Sequence, residues 1–295
     1  NRHSIALGAK AHDYILGLYD VLRRIFDPRP NVLLESCSSG GNRFDLGMLC
    51  FSPQIWCSDD TDPIERLTIQ GNLSYLYPQS TFGSHVSASP HAQTLRTTPL
   101  TTRGNVSFFG CLGYELDLRH LLSVEIKEIK EQIALYKKYR EIFQFGAFYR
   151  TSNGWQVQKD NTVMAGVFSG CRPAVPGYEW LRLKGLEKGK RYTFRTRPQA
   201  LRIGQFGDLV KHVSPVSLNP HGFILRTADH HFTMEDGTHQ GAATGSALMA
   251  GIPMLPAFRG TGYDTNQTML RISAMNTILH EMDNADIWNS PDKYI

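Results

Sequence analysis

The chain has 295 residues, 41% hydrophobic and 20% charged, enough for one large domain or a large one plus a smaller one. A net charge of +4 with no dense basic block beyond LYKKYR (135–140) argues against a nucleic-acid binder. No apolar run reaches eighteen residues, so no membrane helix is expected, and five irregularly spaced cysteines fit a reducing compartment better than a disulfide scaffold or zinc knuckle.

The chain opens at Asn1 without an initiator methionine, and a segment ahead of it is expected. Ala11, Ile15, Leu18, Leu22 and Ile25 recur at helical spacing, and Pro28 and Pro30 end that helix. NVLLE (31–35) reads as a strand, SCSSGG (36–41) as a small-residue loop, 45–51 as a brief helix and QIWCS (54–58) as the next strand. Asp62, Pro63 and Glu65 form a helix start: a carboxylate cap, proline at the first helical position and a glutamate to close a capping box. QSTFGSHVS (79–87) and GNVSFFG (104–110) are strand candidates, and 118–143 is a long helix burying Leu122, Ile126, Ile129, Ile133 and Tyr136. This alternation predicts a parallel α/β sheet or barrel. Beyond Ser152, short runs separated by Asn153-Gly154, Asp160-Asn161, Pro176-Gly177 and Lys188-Gly189 predict antiparallel hairpins, with a domain boundary near residue 151.

Working residues of parallel α/β barrels lie at the C-terminal ends of strands. ESCSSGG and WCSDD are two such ends. Side chains alternate along a strand, so Ile55, Cys57 and Asp59 share a face. If Cys57 points into the barrel, Asp59 is the first of that line to emerge at its mouth, while Asp60 points away. The local sequence leaves open whether Asp59, Asp60 and Asp62 all merely serve the turn. The loop at Cys37 lacks a nucleophile elbow and reads as a binding wall. Arg43 is a candidate partner for Glu35, with a plain surface arginine as the alternative. His230, His231 and His239 match no zinc spacing, and GTGY (260–263) has no strand–helix context for a dinucleotide.

NVLLESCSSGGNRFDLGML, PQIWCSDDTDPIERLTIQ, GSHVSASPHAQT, TRGNVSFFGCLGYELDL and KEQIALYKKYREIFQFGAFYR together closely resemble glycoside hydrolase family 36, the bacterial-type α-galactosidases. Cys37, Gly40 and Arg43 match the family's C-x-x-G-x-x-R motif. Trp56 with Ser58, Asp59, Asp60 and Asp62 matches its acid/base segment. The resemblance implies an α/β chain whose residues 1–151 form the second part of a (β/α)8 TIM barrel, followed by a C-terminal antiparallel β-sandwich over 152–295. It implies a retaining α-galactosidase acting on terminal α-galactosides of melibiose or raffinose type, with Asp59 as general acid/base. Asn1 and Cys37 match positions that contact the galactose in the family, and Gly40 and Trp56 are expected to help line the same pocket. Asn1 and Arg2 match the last two letters of K-W-D-M-N-R, so the nucleophile falls two residues ahead of Asn1. A C-terminal fragment, inactive alone, is the expectation. The resemblance also implies no cofactor or metal, a cytoplasmic protein and a homotetramer. Asn42, Cys57 and Pro63 depart from the family pattern, and the chain after about Leu270 carries no recognisable closing strand. A sister α-N-acetylgalactosaminidase or galactosyl-transferring activity, a non-catalytic galactoside-binding protein and a histidine-dependent metalloenzyme are the alternatives.

Overall fold

The computed structural model describes residues 8–168, 179–197, 200–201, 234–235 and 240–254. Helix α1 (Gly8–Phe26) is followed by β1 (Glu35–Ser36), α2 (Leu46–Leu49), β2 (Gln54–Ile55) and α3 (Pro63–Leu73). Then come β3 (Gly83–Ser87), α4 (Leu100–Ser107), β4 (Cys111–Glu115) and α5 (Ser123–Phe145). The strands β1 and β2 pair in parallel, Ser36 opposite Ile55. The strands β3 and β4 also pair in parallel, from Gly83 opposite Cys111 to Ser87 opposite Glu115. A parallel bridge from Ile55 to Phe82 links β2 to the residue just before β3. Four parallel strands with intervening helices are the α/β arrangement the alternation predicted.

The chain divides into two compact units. In the first, Ile55, Cys57 and Phe82 form a core packed by Phe44, Ile69 and Leu73. Val86, Leu100 and Ile129 form a second, flanked by Leu112, Tyr114 and Ile133. Full burial of side chains such as Phe82 and Val86 contributes roughly 1.5–3 kcal/mol each. Phe108, Tyr136 and Phe143 stack on one another within 6.3 Å.

Three expectations are corrected here. GNVSFFG is not a strand: its first four residues, Gly104–Ser107, end helix α4. Gly104 lies against α5, where an added Cβ would stand 2.5 Å from Gln132, whose amide donates to Leu100 O at 3.2 Å. Packing against α5 outweighs the β preference of Val and Phe. Of NVLLE, only Glu35 is in a strand, and Leu33 is 82% exposed. The stretch expected as helix from residue 118 begins with a 3-10 turn, Leu118–His120, and α5 itself starts at Ser123.

Beyond α5, the strands β5 (Ala147–Thr151), β6 (Gly154–Lys159) and β7 (Thr162–Val167) are hydrogen-bonded in that order through two-residue connections, as antiparallel neighbours require. Asp160 takes φ 53° in the second turn, a region Asp tolerates. Further on lie β8 (Glu179–Leu181), β9 (Arg191–Arg195), β10 (Ala200–Leu201), β11 (Met234–Glu235), β12 (Gln240–Thr244), α6 (Gly245–Ala250) and β13 (Ile252–Met254). Their pairing is antiparallel as expected, but distant in sequence: β8 with β13, β9 with β12 and β10 with β11. Turn dipeptides mark where the chain reverses; they do not select a partner strand. In the second unit the buried Gln156 side chain donates to Lys184 O at 2.7 Å and accepts from its N–H at 2.8 Å. No helix among the described residues is long and apolar enough to cross a membrane.

Candidate active site

Asp59 lies just beyond β2 and is the exposed residue of an otherwise half-buried to buried turn that leads into α3. The aspartates on this turn divide the work. Asp62 caps α3, accepting from Ile64 N–H at 2.8 Å. Its own N–H goes to Asp60 Oδ1 at 3.0 Å, not to Glu65 as a capping box requires. Glu65 instead pairs with Arg96 at 3.1 Å. Asp60 is therefore also a turn residue, its N–H satisfied by Ser58 Oγ at 3.1 Å. Among the described residues, Asp59 is left with one side-chain hydrogen bond: Trp56 Nε1–H donates to its Oδ1 at 3.1 Å.

That contact corrects the alternation argument. Cys57 sits in the core with Phe82, Ile69 and Leu73. β2 ends at Ile55, and exposed Asp59 does not follow Cys57 into that core. It turns instead to the side of Trp56. On that side the indole lies 4.4 Å from the His85 ring of β3. His85 Nδ1 is 3.6 Å from Glu115 Oε2 on β4. Burial holds the His85 imidazole below its ordinary pKa, against the opposing pull of Glu115.

The loop after β1 closes on the same place. Gly40 (φ 72°) packs on Asp59, where an added Cβ would stand 3.2 Å from Asp59 N and 3.6 Å from its Cγ. Gly41 (φ 95°) presses on Cys57, where a Cβ would stand 2.7 Å from the carbonyl oxygen. Both need the positive φ that glycine adopts freely. Cys37 opens this loop, its carbonyl accepting from Gly41 N–H at 3.0 Å. Two loops, each following a strand of one parallel pair, thus bring Gly40 and Trp56 against Asp59. Cys37 stands three residues from Gly40, and Asn1 lies outside the described residues. Arg43 is exposed, and Glu35 takes the Gln54 amide at 3.2 Å.

The sequence reading missed Arg66 and His85. Arg66 donates from Nε to Asp60 O and from Nη2 to Ser58 O, both at 2.7 Å, and lies over the Trp56 ring. Its signal was available: Arg66 and Gln70 stand four apart on the face of α3 that a core would fill with apolar residues. His85 shares the Gly83 and Ser87 face of a period-two strand, a weaker signal. No group of three His, Cys, Asp or Glu poised for a metal occurs among the described residues. His230, His231, His239 and the GTGY stretch lie outside them.

Residues 3–146 match the family model described as Melibiase. The chain is 44% identical over 193 residues to the α-galactosidase Mel36A of Lactobacillus acidophilus, covering 63% of this chain and 26% of that one. It is 41% identical over 211 residues to the α-galactosidase AgaA of Geobacillus stearothermophilus, covering 65% of this chain and 29% of that one. Among solved structures, a variant of the GH36 α-galactosidase AgaA from Geobacillus stearothermophilus in complex with raffinose is similar with a TM-score of 0.66 at 34% identity. That match covers 83% of this chain and 30% of the other. The galactosidase domain of the α-galactosidase-sucrose kinase AgaSK gives a TM-score of 0.65 at 33% identity. The chain therefore spans under a third of the length of these relatives.

Proposed function

We propose that this chain, whose residues 3–146 match the Melibiase family model, contributes the acid/base half of a retaining α-galactosidase active site. Asp59 is the general acid/base. It protonates the departing glycosidic oxygen, then takes the proton of the water that releases galactose from the glycosyl-enzyme. Double displacement needs a second carboxylate about 5–5.5 Å away. By the family pattern this is the aspartate two positions ahead of the residue matched by Asn1. Gly40, having no side chain, leaves room for the sugar to approach Asp59, and Cys37 and Trp56 line the same pocket with Asn1. Residues 1–151 belong to a (β/α)8 barrel and 152–295 to an antiparallel β-sandwich on this reading. Terminal α-galactosides of the raffinose type are the substrates.

The observation that carries this reading is the meeting of the two motif loops at Asp59, with the Trp56 indole N–H on its carboxylate and Gly40 beneath it. The experiment grafts residues 1–151 in place of the matching segment of Mel36A and follows p-nitrophenyl α-galactoside turnover with retention at the anomeric carbon. Turnover that Asp59→Asn lowers by about 10²–10⁴-fold is expected, as for loss of a general acid/base. An Asp59→Asn graft as active as the parent graft refutes the assignment.

A further inference from the structure

Arg66 on the first turn of α3 is 1% exposed, yet no carboxylate among the described residues forms an ion pair with it. The nearby carboxylates are committed elsewhere: Asp60 to Asp62 N–H, Asp62 to Ile64 N–H and Arg96. A cation taken out of water without a paired anion is costly unless dipoles replace its hydration. Here Nη2 donates to Ser58 O, Nε to Asp60 O, and Nη1 to Gly83 O at 3.1 Å with Cys57 Sγ at 2.9 Å. The guanidinium carbon lies 4.9 Å from the Trp56 ring centroid.

These contacts have one residue in common that Arg66 itself does not touch through its side chain. Ser58 and Asp60 flank Asp59, so the carbonyls on both sides of it are pinned to one planar group. Trp56, the donor to the Asp59 carboxylate, is held by the same group on one side and by His85 on another. If α3 needed only packing here, an apolar side chain of similar volume would serve as well or better. The planar fork of arginine reaches these acceptors at once; lysine, a point charge on a flexible stem, cannot.

We propose that Arg66 is a positioning residue for Asp59, fixing the carboxylate by holding the carbonyl oxygens of the residues before and after it and the indole of Trp56. This rests on Asp59 being the acid/base and adds the group that aims it.

The test follows the Trp56 indole N–H of the full chain by ¹⁵N NMR, identified as the resonance absent from Trp56→Phe. Asp59→Ala defines its position when the carboxylate is gone. Arg66→Lys is expected to move the resonance at least halfway toward that position. Solvent exchange of that proton should quicken about tenfold or more, the cost of a weakened charge-assisted hydrogen bond. Tyr136→Phe, which removes a buried hydrogen bond to Gly110 O in the same unit, is expected to leave the resonance in place. Arg66→Gln, neutral but still an N–H donor, serves if Arg66→Lys does not fold. A folded Arg66 variant with the wild-type indole resonance overturns the proposal. So does an indole resonance indifferent to Asp59→Ala, or unfolding of both Arg66 variants, which makes the residue purely structural. The resonance reports whether or not the chain cleaves galactosides, so this result and the Asp59→Asn graft result are read separately.

Discussion

The same change, glycine to alanine, is expected to have opposite effects at Gly41 and Gly17. At Gly41 the backbone sits at φ 95°, and a Cβ would lie 2.7 Å from Cys57 O, 3.1 Å from its carbonyl carbon and 3.2 Å from its Cα. Every one of those atoms is backbone, so no rotamer relieves the clash. The left-handed strain costs about 1–2 kcal/mol and the overpacking about 1–3 kcal/mol. Gly41→Ala should therefore lower stability by about 2–5 kcal/mol, less whatever the loop recovers by lifting off Cys57. Gly17 lies exposed within α1, with nothing within 4 Å of an added Cβ. Gly17→Ala should raise stability by about 0.5–1 kcal/mol, through helix propensity alone. Urea denaturation followed by tryptophan fluorescence measures both. A Gly41→Ala midpoint matching wild type would refute the reasoning, because the close seat of the 37–43 loop on the chain beside Asp59 would then not exist.

Two further outcomes test the surroundings of the site. Burial pushes the Asp62 carboxyl up, but hydrogen bonds from Thr94, Ile64 N–H and Arg96 outweigh it and hold the folded value below the ordinary range. The stability it contributes is present above its unfolded value of about 3.9 and is lost as pH falls through the lower folded value. Urea midpoints between pH 2 and 6 should fall less steeply with acid in Asp62→Asn than in wild type, and parallel curves would count against the linkage. Burial, followed by the charge of Glu35, raises the Cys111 thiol to about 11, and burial also raises Cys57. At pH 8 only about one Cys111 in a thousand is thiolate, so iodoacetamide should label exposed Cys50 well before Cys111 or Cys57, as peptide mass mapping would show. Early labelling of Cys111 would contradict its burial.

Local patterns in the chain determined a good deal. The spacing of Ala11 to Ile25 set α1, the Asp62-Pro63 pair set the start of α3, and the apolar stripe through Ile129 and Tyr136 set α5. Caps and periodicity act over a few residues, so they can be read without a partner. The two motifs, and Asp59 within the second, were likewise visible in the order of residues. Tertiary structure decided the rest. Cys57 faces the core because Ile69 and Leu73 of α3 pack there, which turns Asp59 toward Trp56. Gly104–Ser107 is helical because α5 lies against it, and β8 and β9 find partners some seventy and fifty residues away. Gly40 meets Asp59 only because β1 and β2 pair in parallel, and Arg66 matters only because its guanidinium reaches the carbonyls on either side of that aspartate. Each of these depends on contacts between residues distant along the chain, whose free energy exists only once the fold has brought them together.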